Sequence, residues 1–115
     1  MAFGRIAGYE WTIGGTKQVA YWGHDGHIHE LSVGSGESWS HKNVTGDLGL
    51  APLSGLWDLA GFDWKAGKSK QIVYRTTDGH FHQLVKRKNQ NWQTITSTSF
   101  GSVKGTTGSM RISLR

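Results

Sequence analysis

Two His-x-His pairs form the sharpest chemical constellation in this chain: His27 with His29, and His80 with His82. On an extended strand, residues two apart point the same way. Imidazole pairs at that spacing are weak candidates for holding a transition metal. The chain has no Cys, and Glu30 and Gln83 fall on the opposite strand face, so neither pair has a third ligand beside it. Leu31 and Leu84 share the imidazole face. The favoured reading is therefore structural, with rings filling the space between sheets and bonding to backbone, and no metal or cofactor is expected.

Other catalytic arrangements lack their parts. A glycosidase needs two carboxylates at a defined separation, yet Glu30 has Gln83 as its counterpart further along the chain. There is no Gly-x-Ser-x-Gly elbow, and no phosphate-cradling glycine loop opening a helix. The expectation is a binding protein, not an enzyme. The aromatic and polar mix suits carbohydrate: an apolar sugar face stacks on an indole, while its hydroxyls take bonds from Glu, Gln or Arg. The candidate sugar-binding residues are Trp22, Glu30, Trp39, Trp57, Arg75, Gln83 and Trp92. Trp39 and Trp92 match each other in the repeat described next and have a core role as their alternative. Trp22 and Trp57 have non-aromatic counterparts (Arg75 and Gly4), so symmetry does not require them for packing.

The elements that must position these residues come from an internal duplication. Lys17-Gln18-Val19-Ala20-Tyr21, Asp25-Gly26-His27-Ile28-His29-Glu30-Leu31 and Trp39 recur as Lys70-Gln71-Ile72-Val73-Tyr74, Asp78-Gly79-His80-Phe81-His82-Gln83-Leu84 and Trp92, always 53 residues later. Ala7-Gly8-Tyr9-Glu10-Trp11 likewise pairs with Ala60-Gly61-Phe62-Asp63-Trp64. A gapless repeat of this length marks a modular array. The 115 residues divide into one unit at 1–53, a second at 54–106, and the start of a third at 107–115, where Ile112 aligns with Leu59 and Ile6. Seventeen Gly and one Pro point to many tight turns, and no window sustains a helical period. Short apolar runs bounded by turn residues place strands near 5–11, 17–22, 27–33 and 38–43, and near 58–64, 70–76, 80–86 and 91–96. Asp25-Gly26 and Asp78-Gly79 are hairpin turns, because glycine accepts positive φ.

Val19 and Tyr21 share one strand face; Ala20 and Trp22 share the other. Apolar residues on both faces require a cover on both sides. That fits an all-β architecture of the β-propeller type, with four-stranded antiparallel blades, two per chain. Two blades cannot close a ring of about four to eight, so the ring is expected to close by oligomerisation, a homo-trimer of six blades being favoured over a monomeric two-sheet sandwich. Residues 1–53 hold three Lys or Arg against five Asp or Glu, a net of −2, and residues 54–115 hold ten against three, a net of +7. This asymmetry suits head-to-tail contacts. It also raises, as a lesser reading, nucleic-acid binding through Lys86-Arg87-Lys88. The start of the chain lacks the apolar region of a signal peptide, and no run has the length of a membrane span. The chain reads as soluble, with no membrane insertion and no compartment named; a glycan reader of this kind would act outside the cell once released.

The blade pattern (apolar-x-Tyr, a short glycine turn, a strand bearing Glu or Gln, then Trp near the outer strand) resembles the small lectin propellers of bacteria and fungi. The nearest likeness is to the fucose-binding type, in which two-blade chains assemble as trimers into six-bladed rings. Gln18-Val19-Ala20-Tyr21-Trp22-Gly23-His24-Asp25-Gly26-His27-Ile28-His29-Glu30-Leu31 also resembles repeats of longer bacterial propeller-like proteins. The resemblance covers residues 5–45 and 58–98. It implies glycan binding by a Glu or Gln (Glu30, Gln83) with a stacking Trp. The Arg of the fucose-binding pattern is replaced here by Gln18 or Val19 and by Gln71 or Ile72, with Arg75 nearby. The alternative is a propeller building block, engineered or a fragment, with no specific ligand.

Overall fold

The computed structural model describes residues 6–95. The chain forms two four-stranded antiparallel sheets, each a meander. In the first, β1 (Ile6–Trp11), β2 (Thr16–Trp22), β3 (Ile28–Gly34) and β4 (Ser40–Asn43) lie side by side in that order. In the second, β5 (Leu56–Trp64), β6 (Ser69–Thr76), β7 (Phe81–Arg87) and β8 (Gln93–Ile95) repeat the arrangement. The strand expectations hold to within two residues at each described end. The unit starting at 107–115, with Ile112, lies outside the described residues, as do 1–5 of the first unit and 96–106 of the second. Among the described residues no helix is long and apolar enough to cross a membrane.

The Asp-Gly turns behave as their chemistry requires. Gly26 and Gly79 adopt φ of +85° and +88°. Asp25 accepts the His27 backbone N–H at 3.0 Å, and Asp78 accepts that of His80 at 3.1 Å. The Thr76 hydroxyl first, and then the His80 N–H, hold the Asp78 carboxyl down at about 2.

Two short helical pieces depart from the strand-only reading. Val44–Asp47 forms one turn of α-helix, α1, because Asn43 accepts the Gly46 N–H at 3.0 Å as its N-cap. Residues 65–67 make a single 3₁₀ turn, which ends with Lys68 at φ +53°. Single turns of this kind leave no 3.6-residue apolar period to be seen.

The sheets stack through unlike faces. Alternation and register put Tyr9, Trp11, Gln18, Ala20, Ile28 and Glu30 on one face of the first sheet. That face packs on the face of the second sheet bearing Gly61, Lys70, Ile72, Tyr74 and Leu84. In repeat terms the two are opposites: the partners of Ile72 and Tyr74 are Val19 and Tyr21, on the outer side of the first sheet. Ala20, Ile28, Ile72 and Leu84 are fully enclosed in the shared core, with Val44, Leu56, Tyr74 and Trp92. Each of the enclosed Ile, Leu and Val side chains contributes about 1.5–3 kcal/mol. Burial alone pushes the Tyr74 hydroxyl up to about 12.

Gly61 has no room for a side chain, since a Cβ there would enter the Tyr9 ring. Gly61→Val is expected to cost about 1–3 kcal/mol through overpacking, read as a lowered urea midpoint. Acid should also weaken the fold. A depressed carboxyl contributes stability that is present above about pH 4 and lost as the pH falls through its folded value. The urea midpoint should therefore drop between pH 4 and pH 2, and the drop should shrink in Asp78→Asn.

Candidate functional site

The polar centre of the molecule lies between the sheets. Glu30, on β3, and Lys70, on β6, are each 3% exposed and pair at 2.8 Å. The Tyr9 hydroxyl donates to the second oxygen of the same carboxylate at 2.6 Å. The Lys70 ammonium sits over the rings of Trp11 (4.9 Å) and Trp92 (5.3 Å), so a carboxylate and two π-faces solvate it in place of water. Desolvation lowers the Lys70 pKa, and Glu30 opposes that shift. Burial, followed by the Glu30 charge, raises Tyr9 well above the usual phenol range. The Glu30 carboxylate, the Lys70 ammonium and the Tyr9 hydroxyl are engaged with one another, so they join the two sheets.

This placement changes the expectation for three candidate sugar residues. Glu30 is consumed by Lys70 and Tyr9. Trp92, only 4% exposed, is a wall of the lysine cage. Gln83 donates to the side chain of Gln71 within its own sheet. Trp22 is partly buried against the core. Trp39 and Trp57 remain exposed, and Arg75 is partly buried.

Trp39 is 51% exposed although its repeat partner Trp92 is buried. Lys17 stands 5.9 Å from its ring centroid, repeating the Lys70–Trp92 pair without a cover. Trp39, Lys17, Glu10, Trp11, Val33 and Glu37 border a cleft of about 630 Å³ at the end of the first sheet. Trp57, 45% exposed, sits where the register between β5 and β6 shifts between Leu56 and Asp58. Such a bulge re-aims a side chain. The Arg75 guanidinium lies 4.8 Å from the Trp57 ring and 5.7 Å from that of Phe81, and it donates to Asp58 at 2.9 Å. Arg75, Asp58, Phe81 and Phe62 line a second, more apolar hollow of about 290 Å³.

The histidine pairs separate. His27 precedes β3 and its Nδ1 bonds the Thr45 hydroxyl at 3.0 Å. His29 stacks between Tyr21 and His41. Its Nε2 lies 2.9 Å from the Asp25 carboxylate, and its Nδ1 lies 2.9 Å from His41 Nε2. His80 pairs with Asp78 at 3.2 Å. His82 stacks on Tyr74 and approaches the Thr76 hydroxyl, and desolvation lowers its pKa. Among the described residues no three His, Cys, Asp or Glu gather as metal ligands. The carboxylates beside the imidazoles come from the turns, which a strict reading of strand faces overlooks. In the basic loop, Lys86 turns inward to the carbonyls of Arg87 and Gln90 and lies 5.9 Å from the Trp11 ring centroid.

Lys70, Tyr9, His41 and Asp58 carry no functional expectation in the sequence, and Asp25 only that of a turn residue. For Lys70 a signal existed: alternation puts it on the face of Ile72 and Tyr74, where a solvated lysine is out of place.

Comparison with known protein families, with curated proteins and with solved structures gives no match for this chain.

Removing one partner of a buried ion pair leaves the other charge unpaired. Glu30→Gln is therefore expected to destabilise the chain by about 3–5 kcal/mol, measured by urea denaturation. The double variant Glu30→Gln, Lys70→Met should recover most of that loss.

Proposed function

We propose that this chain is a carbohydrate-binding protein, built as a β-propeller of two blades per chain that closes by self-association, three copies giving six blades. The observation that carries the binding half is the Trp57 platform. A bulge turns a large indole toward solvent, and a guanidinium and a carboxylate stand beside it. A stacking surface beside a fixed donor–acceptor pair is what a sugar ring needs, since it offers one apolar face and a rim of hydroxyls. Trp57 and Arg75 also break the repeat symmetry, having Gly4 and Trp22 as partners, so packing of the blade does not account for them.

The assembly half is supported by the unlike-face stack. It covers one face of each sheet, while the opposite face of the first sheet keeps Ile6, Gly8, Glu10 and Lys17 exposed, and a head-to-tail contact that closes gives a ring. Several weak sugar sites on one ring would act together by avidity at a glycan-coated surface.

The test is a panel of immobilised mono- and oligosaccharides probed with the purified oligomer. Trp57→Ala and Arg75→Ala are each expected to weaken binding at least about tenfold, with the oligomer mass unchanged. An oligomer that retains no glycan, or that binds equally well without Trp57, overturns the sugar reading.

A further inference from the structure

The two repeats differ in charge at one end, and the difference has a single sign. The β5–β6 and β7–β8 connections lie together at that end of the second sheet, since Trp64 pairs with Ser69 and Ser69 with Arg87. Lys65, Lys68, Arg87 and Lys88 stand there where the first unit has Thr12, Gly15, Gly34 and Ser35. Lys86 replaces Val33, and Gln90 replaces Glu37. Each of these changes makes the second unit more positive, and no other matched position in the two connections adds an acid. We infer that this end of the second sheet is an electrostatic docking surface for an acidic polysaccharide, one bearing sulfate or uronate groups, with Lys65, Lys68, Arg87 and Lys88 as its cations. The choice of a glycan as the polyanion rests on the carbohydrate reading above. The surface itself lies at the opposite end of the sheet from Arg75 and Asp58, which pair near the β6–β7 turn.

The fold carries this cluster against its own preferences. Lys68 and Lys88 stand one step beyond the Ser69–Arg87 pair, so like charges flank adjacent strand ends and repel. Lys68 also holds φ at +53°, where its twin Gly15 holds +69°. That left-handed region suits glycine and strains a residue with a Cβ. The first unit makes the same turn with a glycine, so the turn does not call for a lysine.

The cations are also left free. Lys65, Lys68 and Lys88 are exposed and Arg87 is partly buried, and none of the four forms an ion pair among the described residues. Nearby acids are committed: Asp63 accepts the Thr12 backbone N–H, and Glu30 is held by Lys70 and Tyr9. Lys86 is left out of the surface because its ammonium turns inward to backbone carbonyls. Glu10 and Glu37 border the cleft on the first sheet, so a polyanion is steered to the second sheet alone. Single-stranded nucleic acid needs an exposed ring on which its bases stack. Here Trp92 is buried, Trp64 is partly so, and the exposed Trp39 stands in the cleft with those two glutamates. A sulfated or uronate glycan asks for the charges only.

Fluorescence anisotropy of the full chain with labelled heparin, and with labelled single- and double-stranded DNA, over a sodium chloride series tests the surface. Heparin is expected to bind more tightly than either DNA, with log affinity falling linearly against log salt. The double variant Lys68→Gly, Lys88→Ser restores the first unit's residues. It is expected to weaken heparin binding at least about tenfold and to flatten the salt slope by about one per lysine removed. Its urea midpoint should equal or exceed that of the wild type, because the Lys68 backbone is relieved; a lowered midpoint makes these lysines part of the fold and overturns their assignment. Trp57→Ala should leave heparin binding unchanged. Absence of salt-dependent heparin binding, or a double variant that binds as the wild type does, overturns this surface and leaves the Trp57 reading to the sugar panel. DNA held as tightly as heparin overturns the glycan assignment in favour of nucleic acid. Heparin binding lost in Trp57→Ala overturns the separation of the two sites. A failed sugar panel with heparin binding intact overturns the Trp57 reading alone.

Discussion

The ion pair between Glu30 and Lys70 is the contact around which the two-sheet stack is arranged. Each charge would be costly to bury alone, and each is held by the other from across the interface. The pair accordingly does more to fix the relative position of the sheets than to add raw stability. A slip of one residue along either strand would turn one charge to the outer face and leave the other in an apolar core. Trp11 and Trp92 complete the lysine's surroundings, and Tyr9 completes the carboxylate's. Apolar contacts around Ile72 and Leu84 then supply the bulk of the favourable burial in a position the charges have already chosen.

Much of the architecture was legible in the sequence because the chain states it twice. Period-two alternation and Asp-Gly turns located all eight strands, and the apolar residues on both faces of β2 and β6 foretold that each sheet seeks two covers. What the alignment could not convey is context. Trp39 and Trp92 occupy matched positions, yet one is enclosed and one open, since only the second has a sheet lying over it. Glu30 looked like a sugar ligand by its type, and became an interior anion because a lysine some forty residues away, on a different sheet, folds against it. The α1 turn rests on a single Asn43 cap, and the bulge at Trp57 rests on one unpaired residue. Neither produces a periodic signal.

The division between structural and available residues follows the same logic. Matched positions that carry like residues, such as Gln18 with Gln71 or Tyr21 with Tyr74, belong to the four-stranded unit itself. Positions that differ mark where the two units stand in unlike surroundings. Glu30 and Gln83 differ because they face different partners. Trp22 and Arg75 differ because one packs toward the shared core while the other reaches out to Asp58 and Trp57. Departures from symmetry therefore locate the places where a sheet does something beyond repeating its twin.

The meander order of each sheet bears on how the chain reaches its native state. Every strand pairs with its neighbour in sequence, so each ladder closes a loop of a few residues at small entropic expense. Repeated halves carry an opposite hazard: a nascent strand can zip onto its twin's partner and produce a tangled, strand-exchanged species. Fast local zippering at the Asp25-Gly26 and Asp78-Gly79 corners guards against that error, because the right neighbour is captured before the distant look-alike arrives.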